Sequence, residues 1–594
     1  MTNTLLAGLL LAALAAGQAE QARPAPAPSP GSQPGLTTQS GPPLFPEPPD
    51  APFRAQKPPP LLGQLRFEAP VPVERKLKNG ARVLVSELHA VPIVSIDILF
   101  GTGVNGEPPA KAGLAGFVSS MVTEGTLSRT TTQLAAELDE QAIELSAGSG
   151  NETSRVRLNT LKEALPKAIE LLADVLQNPA FRKDDVERIR RLKLAGLAQK
   201  QGNPGALAAD ETAKLLYGDK HPWGQPAGGT PETVESIAVA DLLEFRARWY
   251  RPNNAIISVA GDVAPAEIAK LLEQHLGGWK TSRLPKLQLP PLPREHRRFI
   301  NAVDKPGTTQ SQVWVAGRLF TARHPDRLPM LVANEVLGGL FTSRLNMNLR
   351  EQHGYSYGVF SNVQLSRSYG AFLAAGGILA NHTAEAVREY EKELERFAAE
   401  GPTDPELATA KETLIRGLPA ALETDDAVAS ALATTVFNGL PRDYYRTVPQ
   451  RIAKVSRSDA ARVARTWIRP RQWPVVVVGP IGGAADALQA LALGEVRIHS
   501  APGVLEVRPG TAQAGPGEQG PTAGTVRAPE PGAAAPPGTA PQPSPATPQP
   551  GSVGSPAAPQ GPPAAPPAAS PGAPAAGAPP PPPGAQQPPP SARP

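Results

Sequence analysis

At 594 residues, with 72 prolines and 55 glycines, the chain has room for several domains, but long stretches of it cannot build a core. Basic and acidic residues nearly balance, at 58 and 54 for a formal charge of +4, which argues against a polyanion partner, and no nucleic-acid module is present in the sequence. There is no cysteine, so disulfides and a cysteine-linked lipid anchor are excluded.

The first element in chain order is an apolar run from Leu5 to Ala16. Twelve helical residues rise only about 18 Å, too short to span a bilayer. Small residues follow at Gly17 and Ala19, so residues 1–19 are expected to be a signal peptide. An exported protein follows, expected in the periplasm, with an extracellular or envelope-associated site as the alternative. No other segment reads as a transmembrane helix. Residues 20–63 are a proline-rich spacer, with Pro24-Ala25-Pro26-Ala27-Pro28 and Pro58-Pro59-Pro60, and are expected to be extended and unfolded.

A first folded domain is expected over residues 64–284. Arg82 to Ser86 and Ile93 to Phe100 alternate like adjacent strands. Thr131 to Gln141 and Lys162 to Gln177 read as amphipathic helices. A further helix runs from Val186 to Gln201 and is closed by Gly202-Asn203-Pro204. Its basic residues Arg188, Arg190, Arg191 and Lys193 read as a solvated face. A proline-rich linker occupies 285–295, and a second domain is expected over 296–500, with helices near Leu328 to Gly338, Thr383 to Ala399 and Pro405 to Arg416. The segment Phe245-Arg246-Ala247-Arg248-Trp249-Tyr250-Arg251-Pro252 is echoed by Val463-Ala464-Arg465-Thr466-Trp467-Ile468-Arg469-Pro470. Each copy precedes a strand, Ala255 to Gly261 and Pro474 to Gly479, so the halves read as a duplication. The expected class is α+β, with helices packed on a mostly antiparallel sheet in each half. Residues 501–594 are proline, alanine and glycine, unable to fold; a tether and an inert solubilising tail are equally open.

One motif carries chemistry by its losses. Gly113-Leu114-Ala115-Gly116-Phe117-Val118-Ser119-Ser120-Met121, followed by Gly125-Thr126, resembles the metal-site helix of the pitrilysin/insulinase zinc peptidases, in their processing-peptidase branch. The family segment reads G-x-A-H-F-x-E-H-M, an inverted zinc motif whose histidines at i and i+4 face one ion while the glutamate activates water. Here those positions hold Gly116, Ser119 and Ser120. Glycine has no ligand atom, and neutral serine is a poor one. The family's third ligand, a glutamate on a downstream helix, has no counterpart in Leu194-Ala195-Gly196-Leu197-Ala198. The eight histidines read as scattered singles, none three or four residues from another. The resemblance implies a clamshell of paired domains and a chain that holds no metal and does not hydrolyse peptides by itself.

The second half keeps another family feature. Ser343 through Val359 resembles the substrate-binding segment, in which an arginine and a tyrosine seven residues later face the metal site. Arg350 and Tyr357 fit that spacing, with a helix ending near Gln352, a turn at Gly354 and a strand from Tyr355. A guanidinium and a phenol can both donate to a peptide carbonyl. The structural reading of the same pair is a helix cap and a strand-edge aromatic; Arg344 and Tyr355 compete for the same roles. Gly338-Gly339 is similar to a glycine-rich loop of regulatory subunits, and equally ordinary turn chemistry.

The resemblance implies a non-catalytic, substrate-binding subunit of a heterodimeric zinc-dependent endopeptidase. A related partner would carry the zinc, and this chain would bind extended peptide through edge-strand pairing. An inert scaffold subunit and a stand-alone peptide-binding protein are the alternatives.

Overall fold

The computed structural model describes residues 67–294 and 298–501. The expected signal peptide at 1–19, the spacer at 20–63 and the tail beyond Ala501 lie outside the described residues. Among the described residues no helix is long and apolar enough to cross a membrane.

The first half is built on strands β1 (Val73–Lys76), β2 (Arg82–Glu87), β3 (Ile93–Phe100), β4 (Glu144–Ser149), β5 (Ser154–Leu161) and β6 (Ala255–Gly261). They form one sheet in the order β1-β2-β6-β3-β5-β4, antiparallel except where β2 runs parallel to β6. The second half contains β7 (Ile300–Asp304), β8 (Gln310–Leu319), β9 (Ser356–Leu365), β10 (Gly370–Leu379), β11 (Val475–Gly479) and β12 (Val496–Ser500). Its order is β12-β7-β11-β8-β10-β9. The echoed segments end the helices Val239–Trp249 and Arg457–Trp467, and lead into β6 and β11, each third in its sheet. The duplicated sequence thus occupies equivalent places.

One expectation needs correction. β2 and β3 are not neighbours, because β6 inserts between them and pairs with both. Nor do they simply alternate: Val83, Leu84 and Val85 are all buried, as is β3 from Val94 onward. Successive side chains point to opposite faces, and both faces are covered. Val94, Ile96, Ile98 and Phe100 join the core of their own half. Leu84, Leu99 and Ile256 instead meet Ala433, Val436 and Phe437 from helix Asp425–Phe437 of the other half. The reverse contact exists too: Leu207 and Ala208, on helix Pro204–Tyr217 of the first half, pack on Val303, Val476 and Val478. Each half therefore covers the far face of the other's sheet. Burial of a large apolar side chain contributes roughly 1.5–3 kcal/mol, so this exchange ties the halves together.

Polar contacts reinforce the join. Arg155 on β5 pairs with buried Asp97 and donates to Ser430 Oγ at 2.9 Å on the crossing helix. Buried Glu152 accepts from the Arg367 and Ser368 amides at 2.9 and 2.8 Å. Arg318 donates to the carbonyl of Pro293 at 2.7 Å, which fastens the linker to β8.

Candidate functional site

The degenerate motif folds as the helix Leu114–Val122. Leu114, Phe117, Val118, Met121 and Val122 are buried, a helical spacing that fixes one face on the core. Gly113 starts it at φ +92°, where a Cβ would stand 2.4 Å from the Gly228 carbonyl oxygen, so only glycine fits. Glu107 caps the same end, its carboxylate accepting from the Gly113 and Ala115 amides at 3.1 and 2.7 Å. Burial pushes its carboxyl up to about 7, against the lowering effect of those two amides and of the Lys193 charge.

The three motif positions diverge. Ser119 faces the core: it is buried, with its hydroxyl 3.1 Å from that of buried Tyr250. Ser120 donates to the Gly116 carbonyl of its own helix at 3.0 Å. The same carbonyl accepts from Lys193 Nζ at 3.0 Å. A Cβ at position 116 would lie 3.9 Å from that ammonium and 3.6 Å from Ser149 Oγ. Burial pushes the Lys193 ammonium below the ordinary lysine value, partly countered by the Glu107 charge. The point that faces Gly116 is thus occupied by a positive side chain. A cation beside a cation is unfavourable, and glycine, a self-bonded serine and a core serine present no ligand. These residues do not fit a zinc ion. Among the described residues no group of three or more histidines, cysteines or acids could hold a metal.

Lys193 lies on helix Lys183–Gln201, whose basic cluster is only partly a solvated face: Arg191 is exposed, but Arg190 and Lys193 turn inward. Arg190 donates to the Ile237 carbonyl at 2.8 Å with its side chain mostly buried, and its guanidinium sits 5.3 Å from the Phe117 ring centre. Arg188 pairs with Glu124 of the motif segment. The signal was present in the spacing: Val186, Ile189, Lys193 and Leu197 fall at three- and four-residue steps, so Lys193 shares the inward stripe.

The second-half segment forms helical turns from Arg344 to Gln352, a turn at Gly354 (φ +66°) and β9. The competitors for the substrate-binding role are held by structural contacts. Arg344 makes two bonds of 2.8 Å to Glu406, donates to the Gly401 carbonyl at 3.0 Å and lies over Phe397. Tyr355 is stacked between His353 and His382, with ring centres 5.0 and 4.6 Å away. Arg350 has weaker ties: its Nε is 3.4 Å from Glu351, and its guanidinium stacks 4.3 Å over Phe341, itself exposed. Tyr357 is 72% exposed on β9. The chain thus leaves Arg350 and Tyr357 at the surface, on consecutive elements at one sheet edge. Gly338 belongs to a helical turn rather than a loop, and a Cβ there would clash with Ser361 of β9 at 2.3 Å. Close packing explains it.

Residues 82–212 match the family described as Insulinase (Peptidase family M16), and residues 236–414 match the Peptidase M16 inactive domain. An uncharacterised zinc protease of Mycobacterium bovis is 30% identical over 426 residues, covering 71% of this chain and 96% of that protein. The chain belongs to the insulinase family of peptidases. Its insulinase-family fold is similar to the crystal structure of a peptidase M16 inactive domain from Pseudomonas fluorescens (TM-score 0.65, 22% identity, 69% of this chain and 98% of that one). It is also similar to the periplasmic protease PqqL from Escherichia coli (TM-score 0.60, 17% identity), covering 72% of this chain and 50% of that one. Gly116, Ser119, Ser120 and Lys193 lie in the insulinase match, and Arg350 and Tyr357 in the inactive-domain match.

Proposed function

We propose that this chain is the non-catalytic, substrate-binding subunit of an exported, heterodimeric zinc-dependent endopeptidase. The observation that carries the reading is Lys193 on the Gly116 carbonyl, where an active member of the resembled family would place a metal ligand. In this reading the chain binds no zinc, and a related partner subunit contributes the zinc and the general base. This chain contributes binding and orientation. The Arg350 guanidinium and Tyr357 hydroxyl donate to a peptide carbonyl, and both side chains are accessible for that role. Among the described residues β4 and β9 each end a sheet with one backbone edge unpaired, which favours capture of extended peptide by strand addition, largely independent of its sequence. The apolar segment Leu5 to Ala16 and the likeness to a periplasmic protease support export to the periplasm.

The test is isolation of the mature protein from its native envelope, followed by zinc analysis and a peptidase assay. Recovery of a related subunit with one zinc per pair, and activity that drops on Arg350→Ala and Tyr357→Phe, is the expected result. Chelator-sensitive cleavage by this chain alone overturns the proposal. Partner activity that survives both substitutions turns the reading to a scaffold, and recovery of the chain alone with bound peptide turns it to a stand-alone peptide binder.

A further inference from the structure

The environment of Lys193 is electrostatically incomplete. Its ammonium has three donors, and one is directed to the Gly116 carbonyl at 3.0 Å. Among the described residues no carboxylate lies within ion-pair distance of it. The acid that acts on it through space, Glu107, turns its oxygens to the Gly113 and Ala115 amides. The Phe117 ring, whose centre is 5.5 Å from the ammonium, offsets part of its lost hydration, but no counter-charge among the described residues is bonded to it.

Gly116 leaves room for a methyl-sized group beside Lys193, and nothing in the fold requires a glycine there. Gly116 lies inside a helix with ordinary dihedral angles, and a Cβ there would make only van der Waals contacts. Glycine in a helix interior costs about 1 kcal/mol relative to alanine. One turn beyond Lys193, Gly196 has nothing within 4 Å of a Cβ. The Cβ position that Gly116 leaves unfilled is flanked by two donors, Lys193 Nζ at 3.9 Å and Ser149 Oγ at 3.6 Å. Ser149 is the last residue of β4, the free edge strand. An extended chain that adds to that edge and ends at Ser149 would place its terminus beside these two donors.

We propose that Lys193 and Ser149 form a receptor for the free C-terminal carboxylate of an extended peptide. The carboxylate accepts from the ammonium and the hydroxyl, and supplies the missing negative charge. An internal carbonyl would meet the same donors but leave the charge unbalanced. The site therefore discriminates peptide ends from continuous chain. It selects products of cleavage, or short peptides, over long substrates. This inference rests on the peptide-binding part of the proposed function and is independent of any zinc-bearing partner.

The experiment uses the isolated mature chain and a short Thr-Val repeat peptide labelled at its N-terminus, as free acid and as C-terminal amide, followed by fluorescence anisotropy. A charge-assisted hydrogen bond predicts that the acid binds roughly ten- to a hundredfold tighter than the amide. Lys193→Met brings acid and amide to equal affinity, and in the unaltered chain added salt narrows the gap. Equal affinity for acid and amide in the unaltered chain overturns the inference and leaves peptide capture standing; this comparison needs no variant to fold. An acid preference that persists in Lys193→Met also overturns it. Failure to bind either peptide removes both the inference and peptide capture by the isolated chain.

Discussion

Restoring the family's metal residues tests the reading of the site most directly. The variant Gly116→His/Ser119→Glu/Ser120→His rebuilds the motif and leaves Lys193 in place. A Cβ at 116 stands 3.9 Å from Lys193 Nζ. For an ion that settles about 4 Å from the ammonium, at an effective permittivity near 20, two unit charges interact by about 4 kcal/mol, so a divalent ion meets roughly 8 kcal/mol of repulsion. That is about six orders of magnitude in affinity. Ser119 is only 1% exposed and bonded to the Tyr250 hydroxyl, so a carboxylate there is buried beside a phenol and costs several kcal/mol. The triple variant is expected to unfold on the order of 5–10 °C below the parent and to retain no zinc after dialysis, measured by thermal unfolding and atomic emission. Adding Lys193→Glu removes the repelling ammonium and offers an acidic third ligand from the downstream helix. The quadruple variant is expected to retain close to one zinc per chain. Stoichiometric zinc in the triple variant, at an unchanged melting temperature, would show that Lys193 does not occupy the metal position and that Ser119 is not committed to the core.

Two arginines on one helical segment should separate stability from function. Arg344→Ala removes a bidentate pair with Glu406 and is expected to cost about 2–3 kcal/mol, whereas Arg350→Ala changes stability by less than about 0.5 kcal/mol and weakens peptide binding; urea melts and anisotropy on both variants decide it. Burial raises the Glu406 carboxyl, but Arg344 and Thr403 outweigh it and hold it near about 2. Its stabilising contribution is therefore present above about 4.5 and lost as pH falls toward 2. Glu107 has the opposite sign. Its carboxyl, raised from 4.5 to about 7, contributes stability that is full below pH 4.5 and lost as pH rises through 7, on the order of 3 kcal/mol. Glu335, raised by burial to about 7, acts in the same window. Urea midpoints between pH 4.5 and 7.5 should show a falling slope that Glu107→Gln reduces and a second change, Glu335→Gln, nearly abolishes; an unchanged slope in the double variant refutes the assignment. Glu152→Ala leaves two amides of the other half without their acceptor, and is expected to cost about 2–4 kcal/mol and to expose the joint between the halves to limited proteolysis.

Much of the fold was legible in local pattern. Helices such as Leu165–Gln177 and Asp404–Arg416 announce themselves by apolar spacing and by caps, the latter through Thr403 and Glu406. The equivalence of β6 and β11 follows from the repeated arginine-proline junctions. What sequence could not supply was non-local. Nothing near β3 indicates that Leu99 meets Phe437, more than three hundred residues away, and that contact is why its strand is apolar on both faces. The same limit applied to the site. Gly116, Ser119 and Ser120 were readable as losses, but a serine that turns to Tyr250 and one that turns to its own helix look alike in sequence. Arg344 and Arg350 are the same residue type on one segment, and only Glu406, brought by another helix, separates the structural arginine from the accessible one. Lys193 was legible in principle, since its position falls on the apolar stripe. Its charge suggested solvent, and the stripe was the better guide.

The reciprocal packing of the halves bears on how the site is held. Helix Lys183–Gln201, which carries Lys193, ends at Gly202, and Asn203 caps the next helix by accepting from the Gly205 and Ala206 amides at 2.9 and 3.2 Å. That next helix, Pro204–Tyr217, is the one seated on the sheet of the second half through Leu207 and Ala208. Lys200 pairs with Asp210 across the bend, which stiffens the corner. The position of Lys193 against Gly116 is therefore referenced to the second sheet as well as to the first. A shift of one half against the other would pull on the Pro204–Tyr217 helix before it disturbed the Leu114–Val122 helix, whose buried face belongs wholly to the first half. The Lys193–Gly116 contact is thus linked to the second sheet through this corner, and Arg350 and Tyr357 lie on the half that carries that sheet.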